Sequence, residues 1–259
     1  MKMTKPILLI RSSGNESDQQ ALAKFDIASE IDPYLVIQSI TNSEPALGLR
    51  DSIKNASDPL LLITSLNAIN TFVDLIGEQE FRQTLASNQS VRVAAIGAST
   101  AARLKELGVE KVLLPASTSS LGIIELLAKE VPGTLIHPVG NLASEEIDDA
   151  LRRLGWVIHR EILYTNEVVP LPPRSVQAVQ LAQYGAILFR SASAVRAFFH
   201  WNPTATQLKT ALTYFVVGKG ALSELQLLGI ASVEIFSPVP SEMAEEILNF
   251  LKDKDGAEK

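Results

Sequence analysis

The sequence predicts an α/β protein built from two related parallel-sheet domains, and three observations carry that reading. Short runs rich in Ile, Leu and Val alternate with segments of helical periodicity, the pattern of parallel sheets covered by helices. Most of the runs are apolar at consecutive positions, as strands buried on both faces are. Three segments recur in the same order in the two halves, as duplication of an α/β unit requires.

The strands are expected, in order, at Ile7 to Ile10, Leu60 to Ile63, Val91 to Ile96, Lys111 to Leu114, Thr134 to His137, Ala186 to Phe189, Thr213 to Val217 and Val233 to Phe236. Hydroxyl residues at Ser12-Ser13, Thr64-Ser65, Ser99-Thr100 and Ser191 to Ser193 stand between a strand and a helical segment, and Ser241 precedes the last helix. They read as N-caps, whose side-chain oxygen accepts a free backbone N–H of the first turn. Gly108, Gly155 and Gly229 each end an amphipathic run just before a new strand, as C-terminal glycines do. Lys252 to Lys259 reads as a solvated tail.

The repeat pairs Ile7 to Asp26 with Thr134 to Leu154. LLLITSLNAINTFVD, from Leu60 to Asp74, pairs with AILFRSASAVRAFF, from Ala186 to Phe199. VAAIGASTAARLKELGVEKVLLP, from Val93 to Pro115, pairs with FVVGKGALSELQLLGIASVEIFSP, from Phe215 to Pro238. Sequence order alone would divide the chain near Gly133. However, Pro33 to Ile40 and Glu161 to Val169 are rich in β-branched and aromatic residues with prolines nearby, and read either as extended connectors or as edge strands. As connectors they let the chain start one domain, build the other and return. The boundaries so expected are 1-36 plus 168-259 for a discontinuous first domain and 37-167 for the second.

At 259 residues, with 46% hydrophobic and 20% charged residues, each half has enough apolar surface for its own core. The net charge of -6 and pI near 5.2 argue against nucleic acid or an anionic membrane as partner, since both need a dense cationic field. Any anionic ligand must be held by local features. With no cysteine, disulfides, thiolate nucleophiles and cysteine-held metals are excluded, which fits a reducing cytoplasm. No stretch resembles a signal h-region or a membrane span. The expectation is an unexported, cytoplasmic monomer.

Parallel α/β domains bind ligands beyond the carboxyl ends of their strands. The loops that qualify contain Arg11 and Ser12, Thr64 and Ser65, Gly97, Ser99 and Thr100, Gly140 and Asn141, Ser191, Ala192 and Ser193, and Gly218, Lys219 and Gly220. Such Ser, Thr, Gly and Asn residues at helix N-termini supply hydroxyl and backbone N–H donors for carboxylates or phosphates. Any one of them also has the simpler role of capping a helix. Gly218-Lys219-Gly220 begins a dinucleotide fingerprint, but Ser223 takes the place of its third glycine and only Glu234 could serve as the ribose acid. There is no phosphate-binding Gly-Lys-Ser/Thr loop and no Gly-x-Ser-x-Gly elbow.

The three histidines, His137, His159 and His200, show no metal-ligand spacing. Glu145, Glu146, Asp148 and Asp149 lie on a helix whose apolar positions are Ile147, Leu151 and Leu154, and read as its solvated face. Tyr164, in Leu163-Tyr164-Thr165, is either a core tyrosine with its hydroxyl tied to backbone or a phenol able to give a proton to a departing hydroxyl.

Taken together, these pieces resemble the uroporphyrinogen-III synthase family over nearly the full chain. The matching residues are Ile10-Arg11, Thr64-Ser65 with Ala68 and Phe72, and Ile96-Gly97-Ala98-Ser99-Thr100-Ala101 leading to Gly108. They continue with Leu154-Gly155, Tyr164-Thr165, Arg190-Ser191 with Ala194-Val195, and Val217-Gly218 leading to Gly229. The chain departs from the family at Ser12, where proline is usual, at His137-Pro138, where an arginine is frequent, and at Ala221, where threonine is frequent.

The resemblance implies two flavodoxin-like domains joined by a two-stranded connector, with the substrate held in the cleft between them. It implies a lyase that closes hydroxymethylbilane to uroporphyrinogen III in tetrapyrrole and haem biosynthesis, losing water and inverting ring D through a spiro intermediate, with no metal or organic cofactor. Tyr164 would assist loss of the hydroxyl, while Thr100, Thr165 and Ser191 would contact the eight-carboxylate substrate together with the other loop residues above. The alternatives are a non-catalytic two-domain binder of an anionic small molecule, a weakly active divergent member, and a transferase using a phosphorylated sugar donor.

Overall fold

The computed structural model describes residues 5–208 and 212–257. In chain order the elements begin with β1 (Ile7–Leu9), α1 (Asn15–Ala23), β2 (Ser29–Ile31), β3 (Leu35–Ser39), α2 (Glu44–Asn55), β4 (Pro59–Ile63), α3 (Leu66–Ile76) and α4 (Glu78–Ser87). There follow β5 (Arg92–Ala95), α5 (Ala98–Glu106), α6 (Ser120–Leu127), β6 (Thr134–Gly140), α7 (Glu146–Arg153), β7 (Val157–Val168) and α8 (Ser175–Gln180). The last are β8 (Ala186–Phe189), α9 (Ala192–Trp201), a 3-10 turn (Pro203–Leu208), β9 (Thr213–Val217), α10 (Lys219–Leu227), β10 (Val233–Ile235) and α11 (Pro240–Ala257). Among the described residues no helix is long and apolar enough to cross a membrane.

The chain divides into two compact units, one of residues 1–36 and 167–259 and one of residues 37–166. The divisions fall inside β3 and β7. In the first unit the sheet order is β10-β9-β8-β1-β2, and every pairing is parallel. Counting only this unit's strands along the chain, that is the order 2-1-3-4-5, one of the arrangements of doubly wound α/β sheets. Alternation fixes the packing. Leu8, Ile10, Ile187, Phe189, Tyr214 and Val216 face one way onto the buried positions of α9 and α10, while Ile7, Leu9, Ala186, Leu188, Phe215 and Val217 face the other, onto α1 and α11.

The second unit has the order β3-β7-β6-β4-β5. β7, β6, β4 and β5 are parallel, whereas β3 runs against β7: Ile40 N–H donates to the Leu163 carbonyl at 3.0 Å and Val169 N–H to the Tyr34 carbonyl at 3.1 Å. Leu61, Ile63, Val93, Ala95 and Ile136 meet the helices of one face; Leu60, Leu62, Ala94 and Leu135 meet α6 and α7 on the other. The repeat is therefore visible in space. β1, β8 and β9 of the first unit hold the places that β6, β4 and β5 hold in the second.

Some local expectations need correction. Lys111 to Leu114 forms no strand but a single bridge, Ala94 to Leu113, in the sheet position that β10 fills in the other unit. Ser12 and Ser13 do not cap α1, because the chain turns once more and Gly14, left-handed at φ 77°, precedes the helix. Ser99 and Thr100 lie inside the first turn of α5, whose N-cap is Gly97. Ser241 is the second residue of α11. Ser65 and Ser191 do cap, accepting from Ala68 N–H at 3.0 Å and Ala194 N–H at 3.2 Å. Gly108, Gly155 and Gly229 take positive φ, at 91°, 93° and 65°, a conformation glycine adopts without strain. The expected tail from Lys252 continues as helix to Ala257.

Candidate functional site

In the second unit the expected residues lie at the carboxyl ends of four adjacent strands. Gly97 and Ser99 follow β5, Thr64 and Ser65 follow β4, Gly140 and Asn141 end β6, and Tyr164 and Thr165 lie on β7, where Tyr164 is registered against Gly140. Ser65 joins two of these strands. Its hydroxyl oxygen caps α3 and lies 3.0 Å from the Tyr164 hydroxyl. The phenol is therefore tied to a loop side chain and not to backbone. Asn141 closes the edge, its N–H donating to the Tyr164 carbonyl at 3.0 Å and its Oδ1 accepting from Asn166 N–H at 2.9 Å.

Gly140 is required by this arrangement. A Cβ there would stand 2.5 Å from two ring carbons of Tyr164, closer than packed atoms approach, so the ring or strand must move. Gly140→Ala is expected to cost about 1–3 kcal/mol as an overpacking change and to lower activity at least tenfold by displacing the phenol. Thermal unfolding and turnover measured on the same preparation check both.

Thr100, by contrast, is 4% exposed and lies within α5 with its side chain turned to the core, while Ser99 beside it is exposed. An open cavity of about 680 Å³ between α3 and α5 takes in Ser99, but Asp74 and Glu106 on its wall suit no polyanion.

In the first unit Arg11 and Ser12 follow β1, Ser191 follows β8 with Ala192 and Ser193 opening α9, and Gly218 follows β9 with Lys219 and Gly220 opening α10. These strands are neighbours, so the loops share one edge of the sheet. Ser191 and Ser193 hydroxyl oxygens stand 3.0 Å apart. Gly218, Lys219 and Gly220 are exposed at the start of α10, and a Cβ added at Gly220 would meet Ala192 at ordinary contact distance. Ala221 is buried in the core.

Charge at this edge is anchored from below. Asp18, fully buried on α1, pairs with Arg190 Nη1 at 2.6 Å and Arg11 Nη1 at 3.6 Å. Burial pushes the Asp18 carboxyl above its usual range against the pull of both guanidinium groups. Arg190 also donates to Pro238 O, and so is spent within the fold. Arg11 keeps about a third of its side chain exposed.

Sequence reading missed a second anchored group. Asp148, expected on a solvated face, is fully buried. Its Oδ1 accepts from His137 Nδ1 at 2.7 Å, and Arg160 Nε lies 3.0 Å from its Oδ2. His137 in turn points Nε2 at the Thr64 hydroxyl, 3.4 Å away. The spacing held the signal: Asp148 stands three residues before the core residue Leu151 and so shares its helix face. Among the described residues no three His, Asp or Glu side chains gather as a metal site.

The sequence matches the profile of the family described as uroporphyrinogen-III synthase HemD over residues 19–244. Among solved structures, the chain is similar to a uroporphyrinogen-III synthetase from Helicobacter pylori, with TM-score 0.64, 17% identity, and 95% of this chain and 100% of that chain covered. A variant uroporphyrinogen III synthase from Thermus thermophilus aligns with TM-score 0.61, 16% identity, and 95% and 99% coverage. At such identities these two likenesses speak for the fold alone. No curated protein matches significantly.

Proposed function

Because the chain belongs to the uroporphyrinogen-III synthase family, we propose that it closes hydroxymethylbilane to uroporphyrinogen III, with loss of water and inversion of ring D. The observation that carries the reading beyond family membership is Tyr164, half-buried at the strand ends and bonded through its hydroxyl to Ser65. A phenol so held can give a proton to the departing hydroxyl, which leaves as water, and Ser65 can steady the phenol as it does so. The remaining work is orientation: the bilane must be folded so that the substituted carbon of ring D meets the activated terminal carbon.

In this reading the eight carboxylates are taken by hydroxyls and helix N-termini at the carboxyl ends of the strands. Each terminus is worth about 0.3 to 1 kcal/mol toward an anion, so several acting together suit a polyanion on an acidic protein. Arg11, Ser12, Thr64, Ser65, Gly97, Ser99, Gly140, Asn141, Thr165, Ser191, Ala192, Ser193, Gly218, Lys219 and Gly220 are the proposed contacts. Thr100, buried in the first turn of α5, is proposed as a contact through its backbone N–H. The units are proposed as flavodoxin-like domains, 1-36 plus 168-259 and 37-167, with β3 and β7 as their two-stranded connector. The enzyme is proposed to be a cytoplasmic, monomeric lyase that needs no cofactor.

Supplying enzymatically generated hydroxymethylbilane to protein dialysed against a chelator tests the proposal. Consumption faster than spontaneous closure, unchanged by the chelator, is expected. Folded protein that leaves the spontaneous rate unaltered would overturn it.

A further inference from the structure

Thr64, named above only as a substrate contact, is backed by a chain of polar contacts through His137, Asp148 and Arg160 that the proposed reaction does not use. Thr64 follows β4, His137 and Arg160 are registered against each other on β6 and β7, and Asp148 comes from α7. Alternation explains the meeting. His137 shares its side of β6 with Leu135, Thr64 its side of β4 with Leu62, and Arg160 its side of β7 with Ile158, and all three of those apolar residues pack in the cluster beneath α7.

The chain has a polarity. An ionised carboxylate only accepts hydrogen bonds, so the 2.7 Å contact to Asp148 assigns the ring proton to His137 Nδ1. Arg160 Nε stands 3.0 Å from the other oxygen of Asp148, so a charged ring would place two cations on one buried acid. In the uncharged ring Nε2 is an acceptor. With Nε2 as acceptor, the Thr64 hydroxyl is the donor across 3.4 Å, which spends its only hydrogen and leaves its lone pairs free to accept. Thr64 is half-buried.

The other unit supports a dedicated anchor at this place. β8 is the repeat partner of β4, and the residue after it is Arg190, where the second unit has Thr64. Each is tied to the buried acid of its unit's corresponding helix, Arg190 directly to Asp18 and Thr64 through His137 to Asp148.

We propose that His137 and Asp148 are positioning residues that hold Thr64 as a hydrogen-bond acceptor, so that it receives a pyrrole N–H of the substrate and not a carboxylate. The inference rests on the synthase reading. The helix N-termini around it offer donors, which suit carboxylates; Thr64, its hydrogen given to His137, suits the N–H groups that every linear tetrapyrrole carries. It selects for ring orientation where its neighbours select for charge.

Two measurements test this together. Long-range proton–nitrogen NMR of the imidazoles, assigned with His137→Gln, should show His137 protonated at Nδ1 in the wild type. In Asp148→Asn, Arg160 should hold the amide oxygen and turn the amide N–H₂ to Nδ1, moving the ring proton to Nε2. In the isomer assay Thr64→Val should raise KM about tenfold, the worth of one well-placed hydrogen bond, with kcat within about twofold. Thr64→Ser should match the wild type. Asp148→Asn should raise KM similarly, and the double variant with Thr64→Val should be no worse than Thr64→Val alone.

A wild-type ring protonated at Nε2, a Thr64→Val variant with unchanged KM, or additive losses in the double variant would each overturn the proposal. If Asp148→Asn fails to fold, the wild-type nitrogen shifts and the valine–serine comparison at Thr64 decide it. Failure of the wild type to make isomer III would instead defeat the synthase reading, and the nitrogen shifts would still judge the orientation of Thr64.

Discussion

Asp148→Ala is expected to destabilise the second unit by about 3–5 kcal/mol, the cost of leaving a buried charge without its partner. Arg160 would lose the carboxylate 3.0 Å from its Nε, and His137 Nδ1–H its acceptor at 2.7 Å. His137 cannot turn to water easily, being 1% exposed. Urea unfolding should show a lower midpoint with an unchanged slope. A loss under about 1 kcal/mol would mean that the acid is not structurally coupled to its two neighbours.

The second large effect is expected at Tyr164 and separates chemistry from folding. Tyr164→Phe keeps the ring, which packs beside Gly140 and against the core of the second unit, and deletes only the hydroxyl bonded to Ser65. Stability should fall by no more than about 1 kcal/mol, the net worth of one hydrogen bond. Turnover should fall about a hundredfold, the lower end of what a positioned general acid contributes and about 2.7 kcal/mol of barrier. A variant with turnover within twofold of the wild type would remove Tyr164 from proton transfer.

Both predictions rest on side chains whose surroundings were unevenly legible in the sequence. Strands buried on both faces announced themselves, as Leu60 to Ile63 and Ala186 to Phe189 did, because runs of apolar residues leave little other choice. β2 did not: Ser29–Ile31 has one apolar residue in three and is held by the neighbouring backbone of β1. The segment at Lys111 has a strand-like composition but makes one bridge only, since pairing depends on what lies alongside.

Hydroxyl residues before a helix were weaker signals than apolar runs, for a geometric reason. Ser65 and Ser191 sit at the residue before the helix and cap it, whereas Ser13, Ser99 and Ser241 are displaced by one or two positions, and a cap works at one position only. At the site, Tyr164 drew attention through its place in the sequence, but its dependence on Gly140 and its bond to Ser65 exist only once β6, β7 and β4 are aligned. Asp148 was misread because three acidic neighbours hid it; burial of a charge is decided by His137 and Arg160, which lie 11 residues before and 12 after it.

The central claim, that this chain directs closure of the bilane with inversion of ring D, is tested most directly by the isomer composition of its product. Hydroxymethylbilane generated in situ, followed by oxidation and chromatographic separation of the porphyrins, gives the ratio of isomer III to isomer I. Isomer III well above the spontaneous background, rising with the concentration of this protein, is the expected result. Isomer I alone, from protein shown to be folded, would contradict it.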